Sequence, residues 1–222
     1  MIMDHKALNK LLGNIDLFLL DQILKGRFDA KMKILDAGCG EGRNLHYFFR
    51  EGYDVYAVDK DRGALRMLNY VAQTLKIGQV EERFVEARIQ NLPFPERSFD
   101  AVLCISVLHF AKNDEQLFRM VLELNRVLKS GGILLIGMLT DIGITREVLM
   151  DGPASGTDDF IPLLLSNNHY KSILDLKMFE SVENIRIHSE PGVQNMGYFV
   201  LKKVRGNDGI VLPDPVSNSP FS

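Results

Sequence analysis

ILDAGCGEGRN, Ile34 to Asn44, is the stretch from which the class of fold can be read. It begins as an apolar run of strand type. Three glycines follow at Gly38, Gly40 and Gly42, and Leu45, Phe48 and Phe49 then recur at helical spacing. The order is strand, tight turn, helix start. Glycine accepts positive φ and lets a ligand approach the backbone closely, while the first amides of a helix leave N–H groups without intrahelical partners. In an open α/β sheet, ligands sit beyond the carboxyl ends of the strands, where this turn belongs.

The spacing narrows the ligand. A dinucleotide fingerprint reads G-x-G-x-x-G, whereas these glycines alternate as G-x-G-x-G behind an acid, Asp36. A carboxylate beside the turn repels a pyrophosphate and favours a positive group such as an ammonium or a sulfonium. A second acid, Asp59, ends the strand-like run YDVYAVD, 21 residues after Gly38, and an acid near that distance can accept from both ribose hydroxyls. At ILDAGCGEG and VYAVDKD the chain resembles the class I S-adenosylmethionine-dependent methyltransferases. CGEGRN followed by GYDVYAVDKD is similar to the tellurite-resistance type. NLPFPERSFDAVLCISVLHF and RVLKSGGILLI are similar to the ubiquinone-biosynthesis type.

Composition sets the outer limits. At 222 residues the chain suits one sizeable core, and 46% hydrophobic with 25% charged residues is ordinary for a soluble globular protein. A net charge of −3 speaks against nucleic acid, whose binders usually carry a basic excess. Cys39 and Cys104 have no metal-ligand spacing and read as reduced thiols in a cytoplasmic protein. No signal-peptide run and no membrane-length apolar window is present, so no membrane association is expected.

Taken in order, the first thirty residues carry an apolar helical stripe (Leu8, Leu11, Leu12, Ile15, Leu19, Leu20, Ile23), interrupted at Gly13 and ended at Gly26. The stripe either packs on the sheet or, as the resemblance implies, covers the cofactor. Strands are expected at Tyr53–Val58, Arg83–Glu86, Phe99–Ser106 and Ile133–Met138, with helices over Arg62–Lys76 and after an Asn113 or Asp114 cap. Lys129-Ser130-Gly131-Gly132 should end that second helix. ENIRIHSE and MGYFVLKK read as two further strands, Lys171–Phe179 as a helix, and Thr140 to Asn168 as a loop carrying substrate contacts. The fold expected is α/β: a doubly wound, mostly parallel seven-stranded sheet with an antiparallel C-terminal hairpin, the Rossmann-like methyltransferase fold. One domain spans 1–205, with 1–30 as a helical cap, and 206–222 reads as a disordered tail.

The resemblance also implies a site for S-adenosylmethionine, leaving as S-adenosylhomocysteine. Asp36 would order the turn or favour the cationic methionine end, and the Gly38, Cys39 and Gly40 backbone would approach the cofactor. Asp59 would hold the ribose, Lys60 would flank the adenine, and Ile105 and Ser106 would line the methionine side. The family commonly has an aspartate where this chain has Arg88, and guanidinium cannot accept a hydrogen bond. Glu86 or a backbone carbonyl beside a stacked Ile89 could replace it, or the cofactor is bound weakly or not at all. His109, three residues past Ser106, is the candidate general base, against the commoner role of an apolar-run histidine as a core residue. Arg43, His169, Tyr170 and Tyr198 are candidate contacts for a small-molecule acceptor, and no metal is expected. A monomer or homodimer transferring methyl groups to a small molecule is the leading reading. A methyltransferase for protein or RNA, and a non-catalytic member of the fold, stay open beside it.

Overall fold

The computed structural model describes residues 4–78, 80–143, 162–189 and 195–204. Eight strands make one sheet: β1 Lys33–Ala37, β2 Asp54–Asp59, β3 Phe84–Glu86, β4 Phe99–Ile105, β5 Leu128–Leu139, β6 Phe179–Ser181, β7 Arg186–His188 and β8 Met196–Lys203. Their order is β3-β2-β1-β4-β5-β8, with β6 and β7 both on the outer side of β8. The first five pair parallel, and β8 runs antiparallel to β5 and to both outer segments. Since β6 pairs with Leu201–Lys203 and β7 with Met196–Tyr198, the two form one broken edge, and eight segments fill the seven expected positions. The chain reverses its winding between β1 and β4. That is the switch point at which ligands of such sheets bind.

Among the described residues are seven α-helices: α1 His5–Leu12, α2 Leu17–Leu24, α3 His46–Arg50, α4 Arg62–Thr74, α5 Val80–Arg83, α6 Asp114–Val127 and α7 Asn167–Asp175. Alternation along the buried strands feeds two cores. Ile34, Ala101, Leu103 and Ile105 meet Leu19 of α2, Phe48 of α3 and Leu68 of α4 on one face. Leu35, Val102 and Cys104 meet Leu117, Val121 and Leu124 of α6 and Ile173 of α7 on the other. Both faces are covered, which is why β4 reads as an apolar run from Ala101 to Ile105.

The N-terminal stripe is two helices, because Gly13 takes φ 62° and Asp16 caps α2 by accepting from the Phe18 and Leu19 amides at 3.0 and 3.2 Å. α1 buries none of its residues, whereas α2 buries Phe18, Leu19 and Gln22. Glu183 fastens α2 and the segment after it to the sheet edge: it accepts from Gln22 Nε2 (2.9 Å), Lys25 Nζ (2.7 Å) and Arg27 Nη2 (3.0 Å). Packing is the observed role of α2.

Three boundaries differ from the sequence reading. α6 ends at Val127, and the Lys129–Gly132 segment belongs to β5, whose register against β4 shifts between Phe99 and Ala101. The last helix starts at Asn167, four residues earlier than expected, because Ser166 and His169 form a reciprocal cap there. Phe179 falls in β6, not in that helix. Most of the expected substrate loop (144–161) and the C-terminal tail lie outside the described residues.

Candidate active site

The glycine turn leaves β1 and is tied to β2 at once. Gly38 and Cys39 both donate to the Val58 carbonyl, at 2.7 and 3.0 Å, and the Gly40 amide donates to Asp59 Oδ2 at 2.8 Å. Asp59 Oδ1 accepts from the Asp61 amide at 2.8 Å. With one bond on each oxygen, Asp59 keeps lone pairs for a ribose diol.

Each glycine has its own reason. A Cβ at Gly38 (φ 84°) would run into the methyls of Val107, and one at Gly42 (φ 84°) into Leu68 of α4. Gly40, at φ 52°, would meet nothing within 4 Å. The outer two therefore serve packing, and the middle one faces open space where a ligand can reach the backbone.

Asp36 lies beneath this turn, paired in register with Ala57 on one side and Leu103 on the other. It is 2% exposed, and its Oδ2 has no hydrogen-bond partner. Burial pushes its pKa up to about 7; the Arg43 charge opposes the rise and Asp59 adds to it. A buried carboxylate without a partner is costly, and a cation placed beside it recovers that cost. The residues present therefore fit a ligand carrying a positive group. Cys39 and Cys104 are free, buried thiols whose pKa values burial raises far above the usual range, so neither is a nucleophile at neutral pH.

On the other flank β4 ends at Ile105, and Ser106 takes φ 63°, uncommon for a residue with a side chain, while its amide donates to Gly137 O at 2.7 Å. A 3-10 turn, Leu108–Phe110, follows. His109 within it is 8% exposed, has an unpartnered Nδ1, and has its pKa lowered by burial, so its imidazole is neutral at pH 7. Lys60 and Arg88 are exposed and Ile89 is buried. The Ala87 amide donates to Asp59 O at 3.0 Å, which holds the Glu86–Ile89 segment beside Asp59.

The four candidate acceptor contacts separate into two pairs. Arg43 and Tyr198 share a cleft of about 410 Å³ with Ile15, Asp16, Phe18 and Arg186. There the Tyr198 hydroxyl donates to Asp16 Oδ2 at 3.2 Å, Arg43 Nη2 lies 3.7 Å from the same oxygen, and the Tyr198 ring stacks on Phe18 at 4.7 Å. Gly137 makes this possible, since a Cβ there would meet both the Tyr198 ring and Ile105. The cleft thus adjoins the end of β4. His169 and Tyr170 are elsewhere. Nδ1 of His169 accepts from the Ser166 amide at 3.1 Å and its Nε2 lies 3.2 Å from Asp114, while Tyr170 packs on Phe199 in the α6–α7 core. Both His169 nitrogens are committed within the fold. Asp16, missed in the sequence, has no motif around it; only its cap position before an apolar helix was a signal.

The sheet order, the switch point and the glycine turn define a Rossmann-like cofactor-binding domain. Residues 35–136 match the sequence model of a family described as a methyltransferase domain, and that segment holds the turn, both acids and His109. In that segment the chain is similar to methyltransferases. It is 33% identical over 111 residues to the uncharacterised methyltransferase YodH of Bacillus subtilis, covering 46% of this chain and 41% of that one. It is 24% identical to the ubiquinone biosynthesis O-methyltransferase of Rickettsia akari, over 66% of this chain and 58% of that one. The chain thus spans about half the length of these curated relatives. In three dimensions it is similar to a SAM-dependent methyltransferase from Methanosarcina mazei, with a TM-score of 0.67 at 20% identity, covering 82% of this chain and 97% of the other. Two other structures of this fold, the 1,6-didemethyltoxoflavin-N1-methyltransferase of Burkholderia thailandensis and the magnesium protoporphyrin IX methyltransferase of Synechocystis, were solved with S-adenosylhomocysteine and with SAM bound, at 21% and 15% identity and TM-scores of 0.63 each.

Proposed function

We propose that this protein transfers a methyl group from S-adenosylmethionine to a small-molecule acceptor in the cytoplasm. The observation that carries the reading is the buried, unpartnered oxygen of Asp36 under a turn whose middle glycine faces open space. When bound, the cofactor would supply an electrophilic methyl group for in-line attack by the acceptor, with S-adenosylhomocysteine as the leaving group, and the protein's task is to hold acceptor and methyl aligned at about 3–3.5 Å. Asp36 favours the cationic methionine end. Asp59 holds the ribose hydroxyls while keeping the Gly40 amide in place, and Lys60 and Ile89 bracket the adenine. Ile105 and Ser106 line the methionine side.

Arg43 and Tyr198 position the acceptor in the cleft between α2 and the end of β4. With its phenol proton directed to Asp16, Tyr198 presents an oxygen that accepts from an acceptor N–H or O–H. His109, neutral at pH 7, is the base where the acceptor must lose a proton. A relative named for ubiquinone biosynthesis and the net charge of −3 both favour a small acceptor over a nucleic acid. The test is transfer from methyl-tritiated S-adenosylmethionine into cell extract split into low-molecular-weight and macromolecular fractions. Label in the first fraction is expected, and label confined to protein or RNA would contradict the reading.

A further inference from the structure

The cleft that holds Arg43 and Tyr198 does not balance its charges. Among the described residues, Lys25, Arg27, Arg43 and Arg186 face Asp16, Asp21 and Glu183 in and beside it, four cations against three carboxylates. Two of the carboxylates sit in close pairs. Asp21 lies 2.8 Å from Lys25 Nζ and 3.0 Å from Arg186 Nη1, and Glu183 lies 2.7 Å from Lys25 Nζ and 3.0 Å from Arg27 Nη2. The third, Asp16, is buried and already satisfied, since Oδ1 caps α2 and Oδ2 accepts from the Tyr198 hydroxyl. Arg43 is left over. Its Nη2 lies 3.7 Å from Asp16 Oδ2, outside hydrogen-bond range, and no N–H of its guanidinium makes a hydrogen bond among the described residues.

Arg43 lines the cleft half-exposed, so its donors are accessible to a ligand. A guanidinium is weakly hydrated, and its planar fork matches a carboxylate through two parallel N–H···O bonds. The aromatic rings of the cleft are occupied by the protein's own groups: Phe18 carries the Tyr198 ring at 4.7 Å and the Arg186 guanidinium at 5.5 Å. Charge and hydrogen bonding, not stacking, therefore select the ligand. Burial and the Asp16 charge push the Tyr198 pKa up to about 12, so the phenol stays neutral and adds nothing to the balance. Asp36, whose carboxyl also feels Arg43, is answered by the cation that the cofactor reading places beside it. Tyr198 pairs in register with Gly137, which pairs with Ile105, so the cleft lies level with the end of β4.

We propose that the methyl acceptor is a small hydroxy acid, and that Arg43 is the specificity-determining residue that binds its carboxylate while Tyr198 accepts from its hydroxyl. This rests on the methyl-transfer reading above and names the acceptor class of the same cleft. One negative charge completes the four-against-three cluster. A neutral acceptor leaves Arg43 unanswered, an ammonium-bearing acid brings its own cation, and a phosphate dianion overshoots. A hydroxyl keeps its proton at neutral pH, which is the case in which the neutral His109 has a proton to take.

The test separates a protein-free, low-molecular-weight cell extract by anion exchange at neutral pH and incubates each fraction with the full chain and methyl-tritiated S-adenosylmethionine. Label is expected with retained fractions that elute as singly charged acids, and converting their carboxylates to amides with a carbodiimide and ammonia should abolish it. With the acceptor purified from such a fraction, Arg43→Gln should raise KM about 30-fold at little-changed kcat, and Arg43→Lys, which keeps the charge without the fork, about fivefold. S-adenosylhomocysteine binding by Arg43→Gln should stay within about twofold of the parent. Acceptor activity that is unretained, or that survives amidation, would overturn the proposal, as would an unchanged KM in Arg43→Gln. If Arg43→Gln lost S-adenosylhomocysteine but kept 5′-methylthioadenosine, the guanidinium would be holding the cofactor's own carboxylate, and the assignment would fall. A parent that binds S-adenosylhomocysteine yet labels no fraction would sink the methyl-transfer reading and this inference with it.

Discussion

Gly38 and Gly40 sit two residues apart in one turn and predict opposite phenotypes. Gly38→Ala combines a positive φ with collision against Val107, and should lower stability by about 2–4 kcal/mol, measured by urea unfolding. Gly40→Ala carries only the backbone penalty, about 1 kcal/mol, yet places a methyl where the ligand approaches, so its main effect should appear in cofactor binding. Asp36 gives a pH signature. Its folded pKa of about 7 lies above the ordinary carboxylate value, so the folded state holds a proton that the unfolded state has released between about pH 4 and 7. Stability from this group is therefore complete below pH 4 and declines as pH rises to 7. Asp36→Asn should match the parent at pH 4 and exceed it by on the order of 4 kcal/mol at pH 8, tracked by denaturant titration across that range. A parent whose stability does not depend on Asp36 anywhere in that window would show that the carboxylate finds a partner in solution.

At the scale of elements, α2 is held by side chains more than by its own length. Eight residues are too few for an independent helix, so the Asp16 cap, the Phe18–Tyr198 stack and the Glu183 cluster carry it. Burial acts to raise the Glu183 pKa, but bonds from Lys25, Arg27 and Gln22 outweigh it and the net shift is downward. The cluster therefore stabilises above the ordinary glutamate pKa and weakens as pH falls through the folded value. Glu183→Ala should cost about 1–2 kcal/mol and speed amide exchange in α2 selectively, leaving β4 unchanged by hydrogen-exchange mass spectrometry. The same scale shows where sequence reading worked. β1, β2 and β4 were legible because strands covered on both faces are predominantly apolar, and α4 and α6 because one face of each is buried. α7 and β6 were displaced because His169 caps a helix with its side chain, a role that composition does not announce, and because a three-residue edge strand is too short for a period. The glycine turn was legible from its spacing. The cleft lined by Asp16, Arg43 and Tyr198 was not, since these residues meet only after the sheet folds.

At the scale of the whole molecule, the carboxyl ends of β1, β2 and β4 bring together the glycine turn, Ser106 at positive φ, the neutral His109 and, within the end of β1, the buried Asp36, while the two cores on either side are predominantly apolar. Three other residues with side chains, Lys76, Arg97 and Lys177, also take positive φ, so the partnerless oxygen of buried Asp36 beside the open glycine turn, more than backbone strain, sets this edge apart. On the proposed function, this edge binds S-adenosylmethionine through Asp59 and the glycine turn. Calorimetric titration of the chain with S-adenosylmethionine and with S-adenosylhomocysteine, repeated on Asp59→Ala, tests it most directly. Micromolar binding of both ligands, abolished in a folded Asp59→Ala, is the predicted result; no heat from either ligand with folded parent protein would contradict the account.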